Sequence, residues 1–123
     1  MRTTDFLTKI RDELIAEDVK DVVFYNDTTP NTETWAMLML DKVVSDPGSD
    51  YDPSTAAQLQ FIVDIWFAKT IDYFTAINKV EAIARRLRSE NLTWVSYVGM
   101  PDQVGRRRSY HFELTLKASN PIR

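Results

Sequence analysis

The chain is predicted to adopt an α+β fold: a mainly antiparallel β-sheet with two amphipathic helices packed on it, in the order α-β-β-β-α-β-β. Three observations predict it. Residues 58–68 alternate strictly, with Leu59, Phe61, Val63, Ile65 and Phe67 on one side and Gln58, Gln60, Ile62, Asp64 and Trp66 on the other. That period of two is the signature of a strand. Two other segments repeat apolar residues at steps of three and four, as a helix with one buried stripe does. The remaining apolar runs are short and are separated by turn-rich stretches, which suits neighbouring strands joined by hairpin-like loops.

Taken in order, residues 4–17 read as a helix. Phe6, Leu7, Ile10 and Leu14 form its apolar stripe, and Lys9, Arg11, Asp12 and Glu13 are left to water. Thr3 or Thr4 can cap its start, and Asp5 suits the positive end of the helix dipole. Residues 19–25 (VKDVVFY) read as a short strand, stopped by Asn26-Asp27-Thr28-Thr29-Pro30-Asn31. Residues 34–44 (TWAMLMLDKVV) are apolar on both faces over most of their length, as expected of a strand inside a sheet. Residues 45–54 (SDPGSDYDPS) form a long polar loop, and the alternating strand 58–68 follows.

The second helix is expected over residues 71–89. Its stripe is Tyr73, Ile77, Val80, Ala84 and Leu87, widened by Phe74, Ala76 and Ile83. Asp72 stands near its start and Arg85, Arg86 and Arg88 in its last turns, the polarity that the dipole favours. Two strands close the pattern, at residues 93–98 and 109–118. Gly99, Pro101, Asp102, Gly105 and the run Arg106-Arg107-Arg108 lie between them. Residues 119–123 are expected to be loose.

Composition bounds what such a domain can do. With 123 residues, 44% of them hydrophobic and 27% charged, the whole of 1–123 reads as one globular domain with an ordinary core. No cysteine is present, which excludes disulfides, thiolate zinc sites and cysteine nucleophiles and suits a reducing cytoplasm. A formal charge of −3 argues against non-specific nucleic-acid binding as the main activity. No apolar run approaches the ~20 residues of a membrane span, so no membrane association is expected.

A search for catalytic chemistry yields little. His111, the single histidine, falls on the polar side of the last strand with no second ligand of its kind; a half-exposed strand residue is the simpler reading. Asp46, Asp50 and Asp52 share a loop but lack the ligand spacing and closing glutamate of a calcium-binding loop. The three glycines, Gly48, Gly99 and Gly105, are all expected in loops, and none belongs to a phosphate-binding motif. Asp64 and Asp72 flank one strand–helix junction, where Asp72 is better explained as a cap than as half of an acid/base pair. The expectation is therefore a protein without cofactor, metal or enzymatic activity.

Two features point to partners instead. Arg106-Arg107-Arg108 would suit a phosphate backbone or an acidic neighbour, although a solvated loop that keeps its flanking strands soluble is the simpler reading. Trp35, Trp66 and Trp94 each fall in a strand, and Trp66 and Ile62 lie on the side opposite the Leu59/Phe61/Val63 row. A sheet buried on one side only keeps the other side polar. Here either a helix covers each face, or one face meets another subunit.

The segment 59–89, LQFIVDIWFAKTIDYFTAINKVEAIARRLRS, joins an alternating strand through a charged turn to an amphipathic helix with a basic end. This resembles the strand–helix unit of tail terminator and tail-completion proteins of tailed bacteriophages and of the related minor capsid proteins. The order of elements is similar over nearly the whole chain: an N-terminal amphipathic helix, a strand, a long loop before the central strand, and a terminal hairpin. The resemblance implies a non-catalytic structural protein of the virion, assembled in the host cytoplasm. It implies a homo-oligomeric ring, in hexameric form, that caps the tail tube and joins it to head-completion proteins, with DNA passing through the ring. Other head–tail connector or neck proteins, which close the head, share the same texture. A different class, a small nucleic-acid-binding adaptor using Arg85, Arg86, Arg88 and Arg106–Arg108, stands as the alternative. For a ring, each subunit offers two different patches; the candidates are the loop with Asp50, Tyr51 and Asp52, the loop with Arg106, Arg107 and Arg108, and the second sheet face around Ile62 and Trp66.

Overall fold

The computed structural model describes residues 3–25, 28, 30, 32–44, 58–88, 92–100 and 109–119. Seven elements follow in order: α1 (Thr3–Ala16), β1 (Val22–Phe24), β2 (Trp35–Val44), β3 (Gln58–Ala68), α2 (Tyr73–Leu87), β4 (Leu92–Met100) and β5 (Ser109–Ser119). They form an α+β fold with one five-stranded sheet in the spatial order β1-β2-β3-β5-β4.

Three of the four strand pairings are antiparallel: β2 with β3, β3 with β5, and β5 with β4. The fourth departs from the expected hairpin, because β1 runs parallel to β2, with Val22 opposite Ala36 and Phe24 opposite Leu38. Nor do β3 and β4 lie side by side. The chain leaves β3 through α2, returns in β4 one position too far out, and β5 then fills the gap. The expected mainly antiparallel sheet is present, but two of its neighbours are not neighbours in sequence order.

The core lies between the sheet and the two helices. Phe6, Ile10 and Leu14 of α1, and Ala76, Val80, Ile83 and Leu87 of α2, are buried. They meet Leu59, Phe61, Val63, Ile65 and Phe67 of β3 and Phe112, Leu114, Leu116 and Ala118 of β5. Phe6 and Phe61 bring their ring centroids to 5.8 Å, which fixes α1 over the sheet centre. Arg86 of α2 pairs with Glu13 of α1 and, at 3.4 Å, with Glu17 just beyond its end. Among the described residues every buried side chain is apolar, so this interior carries no desolvated charge.

The helix ends follow from local chemistry. Asp72 caps α2 by accepting a hydrogen bond from the Thr75 backbone N–H at 2.7 Å, the role that its place in the sequence suggests. That bond and its neighbours hold the Asp72 carboxyl below the ordinary carboxylate range. At the end of α1 the chain turns through Asp18 at φ 67°. Its N–H reaches Ile15 O at 3.1 Å, and the N–H of Val19 reaches Leu14 O at 3.0 Å. This is a Schellman ending with an aspartate where glycine is usual. Val19 is fully buried as the hydrophobic contact of that turn. It does not open a strand, and β1 begins only at Val22.

Three further expectations are corrected. Phe74 does not widen the buried stripe of α2; it is 78% exposed, because the helix turns its face toward Ala76, Val80, Ile83 and Leu87. Tyr73 is likewise half exposed, lying against Tyr110 and Phe112. Gly99 lies inside β4, opposite Phe112, and not in a loop. A methyl group there would be 3.5 Å from the Tyr73 hydroxyl and 3.7 Å from Phe112, ordinary contact distances, so the position does not demand glycine on steric grounds.

Candidate functional site

Both helices pack on the same side of the sheet. Their partners on β3 are the odd-numbered residues, and the even-numbered ones point to the opposite face, each partly buried. Of the two arrangements that the sequence allows, a helix on each face is therefore excluded for the described elements. No described helix lies over the second face.

Register assembles that face into rows running across the strands. The first row is Trp35, Trp66, His111 and Met100, the second Met37, Asp64, Glu113 and Val98, and the third Met39, Ile62, Thr115 and Ser96. A fourth row, Lys42, Gln60, Lys117 and Trp94, is polar on its first three strands. It follows a bulge at Asp41, whose carboxylate accepts from the Gln60 side-chain amide at 2.6 Å. The face thus mixes large apolar side chains with two carboxylates in the second row and two lysines in the fourth.

The first row is a stack of rings. Trp35 and Trp66 lie 4.0 Å apart between centroids with planes 10° apart, and Trp66 and His111 lie 4.4 Å apart at 9°. Trp66 is therefore sandwiched. His111 is also held from the next row, where its Nε2–H donates to Asp64 Oδ1 at 2.9 Å. A carboxylate only accepts, so Nε2 is the nitrogen that carries the proton in this bond. Both side chains are more than four-fifths buried. The sequence shows His111 as a lone strand residue. Its partner becomes visible only when register sets it opposite Trp66 and diagonal to Asp64, a diagonal within reach of long side chains.

Asp72 caps α2, as its place in the sequence suggests, and forms no acid/base pair with Asp64, which engages His111. Among the described residues no cluster of three or more His, Asp or Glu side chains could hold a metal ion. On the helix side, the Tyr97 hydroxyl of β4 donates to Glu81 Oε1 of α2 at 3.1 Å. Partial burial, together with that carboxylate, pushes the Tyr97 phenol up. An open cleft of about 370 Å³ lies beside the α1 ending, lined by Glu17, Asp18, Lys20, Phe67, Ile71 and Lys79 among others. Its two carboxylates and two ammonium groups leave it with no dominant charge.

Of the residues singled out from the sequence, Ile62 and Trp66 lie together on the second face, four residues apart along β3 with Asp64 between them. Asp50, Tyr51, Asp52, Arg106, Arg107 and Arg108 lie outside the described residues. For the nucleic-acid alternative, Arg86 is committed to Glu13 and Glu17, whereas Arg85 and Arg88 are exposed. Among the described residues no helix is long and apolar enough to cross a membrane.

No protein-family model matches the chain, and no curated protein matches it. A solved structure with 14% sequence identity covers 97% of this chain and 96% of its own, with a TM-score of 0.48. At that level the likeness bears on neither activity nor partners.

Proposed function

We propose that this chain is a structural subunit that assembles with copies of itself, and that its assembly is the ring capping the tail tube of a tailed bacteriophage where the tail meets the head. The observation that carries the assembly reading is the placement of both helices on one side of the sheet. It leaves Trp35, Met37, Met39, Ile62 and Trp66 half-buried on the other, with Val98 and Met100 at 52% and 37% exposure beside them. Large apolar side chains gathered over three rows of one face are what a protein contact uses. The order of elements and the strand–helix unit of residues 59–89 support the tail terminator station. In this reading the apolar rows of one subunit meet a different surface of the next, as closure by rotation requires.

Light scattering and negative-stain microscopy on the purified protein test the proposal. Closed rings are expected in the wild type, and their loss is expected in Ile62→Lys while the far-ultraviolet circular dichroism stays unchanged. A particle that never forms rings at any concentration, alone or with tail tubes, sinks it.

A further inference from the structure

The outer edge of β4 has a different character from the sheet face. We propose that β4 is a strand-pairing edge and that its occupant is β4 of a second copy, joined antiparallel about a twofold axis. The inference goes beyond the ring reading and does not rest on it, since it joins two free chains through an edge and leaves the face alone.

Four observations carry it. First, among the described elements β4 is the last strand of the sheet, paired with β5 on one side only. From Val95 to Met100 its backbone hydrogen bonds to other described residues are those of that one ladder. Every other backbone N–H and C=O along it therefore points outward, a row of donors and acceptors ready for a further strand. Second, the end of this edge is open, with Tyr97, Val98, Gly99 and Met100 all exposed. Third, the strand reads LTWVSYVGM. It contains no charge and no proline, the devices by which natural edge strands are usually protected from pairing. Its bulge lies at one end, between Leu92 and Trp94, and the stretch beyond runs regular to Met100.

The fourth observation selects the partner. The opposite edge of the sheet is β1, only three residues long, and it matches less than half of the regular part of β4. A second β4 matches its full length. An uncharged strand is also complementary to itself, because antiparallel self-pairing sets no like charges opposite each other. A twofold axis normal to the sheet keeps the helices of both copies on one side. It then requires opposed residues to share a face, so that Tyr97 lies opposite Tyr97 of the second copy when Trp94–Met100 overlap fully. In that register Ser96 faces Val98 of the partner, and Val95 faces Gly99.

Sedimentation equilibrium on the full chain tests the pairing. The wild type is expected to dimerise, and the double variant Ser96→Lys/Val98→Lys, which sets like charges opposite each other twice, should weaken the dimer ~10-fold or more. The variant Ser96→Glu/Val98→Lys, which sets opposite charges there, should recover it. Because the chain lacks cysteine, Tyr97→Cys should oxidise to a single symmetric disulfide dimer; opposed Cα atoms of antiparallel strands lie within disulfide range. Circular dichroism confirms that each variant folds. A wild type that stays monomeric at its highest soluble concentration overturns the proposal, as does a dimer indifferent to the two lysines or one not recovered by the charge swap. Ser96 and Val98 also border the second face, so two variants together separate this result from the ring: the charge swap, which restores edge pairing while that face stays charged, and Trp66→Thr, which alters the face and should leave the edge dimer intact.

Discussion

Trp66 sits between two rings, and the cost of removing it can be worked from that geometry. An aromatic pair contributes about 0.5–1.5 kcal/mol beyond its buried area. Trp66 makes two such contacts, at 4.0 Å with Trp35 and 4.4 Å with His111, whereas Trp35 makes one of them. Trp66→Thr should then cost about 1–3 kcal/mol through its rings, and Trp35→Thr about half as much. Threonine keeps the strand preference of the backbone, so the difference isolates the rings. The double variant should cost less than the sum of the singles by about 0.5–1.5 kcal/mol, the coupling of the Trp35–Trp66 stack. Urea unfolding followed by far-ultraviolet circular dichroism measures each value, with tryptophan fluorescence as the second probe of two-state behaviour. The wild type should also show the paired circular-dichroism bands of stacked indoles, lost in either single variant. Additivity within about 0.3 kcal/mol, with those bands absent from the wild type, would refute the stack and the register that builds it.

Other consequences are equally specific. Asp18→Gly removes the side chain from a left-handed position at the end of α1, and should raise stability by a few tenths to about 1 kcal/mol, read as a melting temperature higher by a few degrees. Asp72→Ala should lower the melting temperature near neutral pH by leaving the Thr75 N–H uncapped. The Asp72 carboxyl titrates lower in the folded than in the unfolded chain. Its stabilisation is therefore present above the unfolded value and lost as pH falls through the folded one, so the difference between wild type and Asp72→Ala should close in acid. Asp72→Asn should keep the cap and lose most of that acid dependence.

Much of the fold is legible in the residues, and the failures have physical causes. The alternation of Leu59 to Phe67 fixes β3 residue for residue, because a strand with one face on a core needs a period of two. Both helices are legible from their stripes. Val19 misleads because an apolar residue after a helix can begin a strand or close the helix, and only the left-handed turn at Asp18 decides between them. The parallel pairing of β1 and the insertion of β5 between β3 and β4 depend on contacts between distant segments, which local pattern does not record. The site follows the same division. Trp66 and Ile62 are legible as outliers on a face that should be polar, since an alternating strand exposes such exceptions directly. The placement of Trp35 and His111 beside Trp66 is not legible, because it rests on two register choices made across three strands.

The insertion of β5 also bears on how the molecule comes to exist. Synthesis proceeds from α1 onward, yet the strand that bridges β3 to β4 is the last of the five to emerge. A nascent chain extended only as far as Met100 lacks the strand between β3 and β4, and the β3 backbone N–H and C=O groups that β5 pairs are left facing that gap. The sheet is therefore closed only by a strand made after both of its neighbours, and contacts so distant in sequence form slowly. During that interval the exposed β3 edge can accept a foreign strand in place of β5, which makes holding the unfinished chain by a chaperone, or rapid completion of translation, part of what the architecture demands.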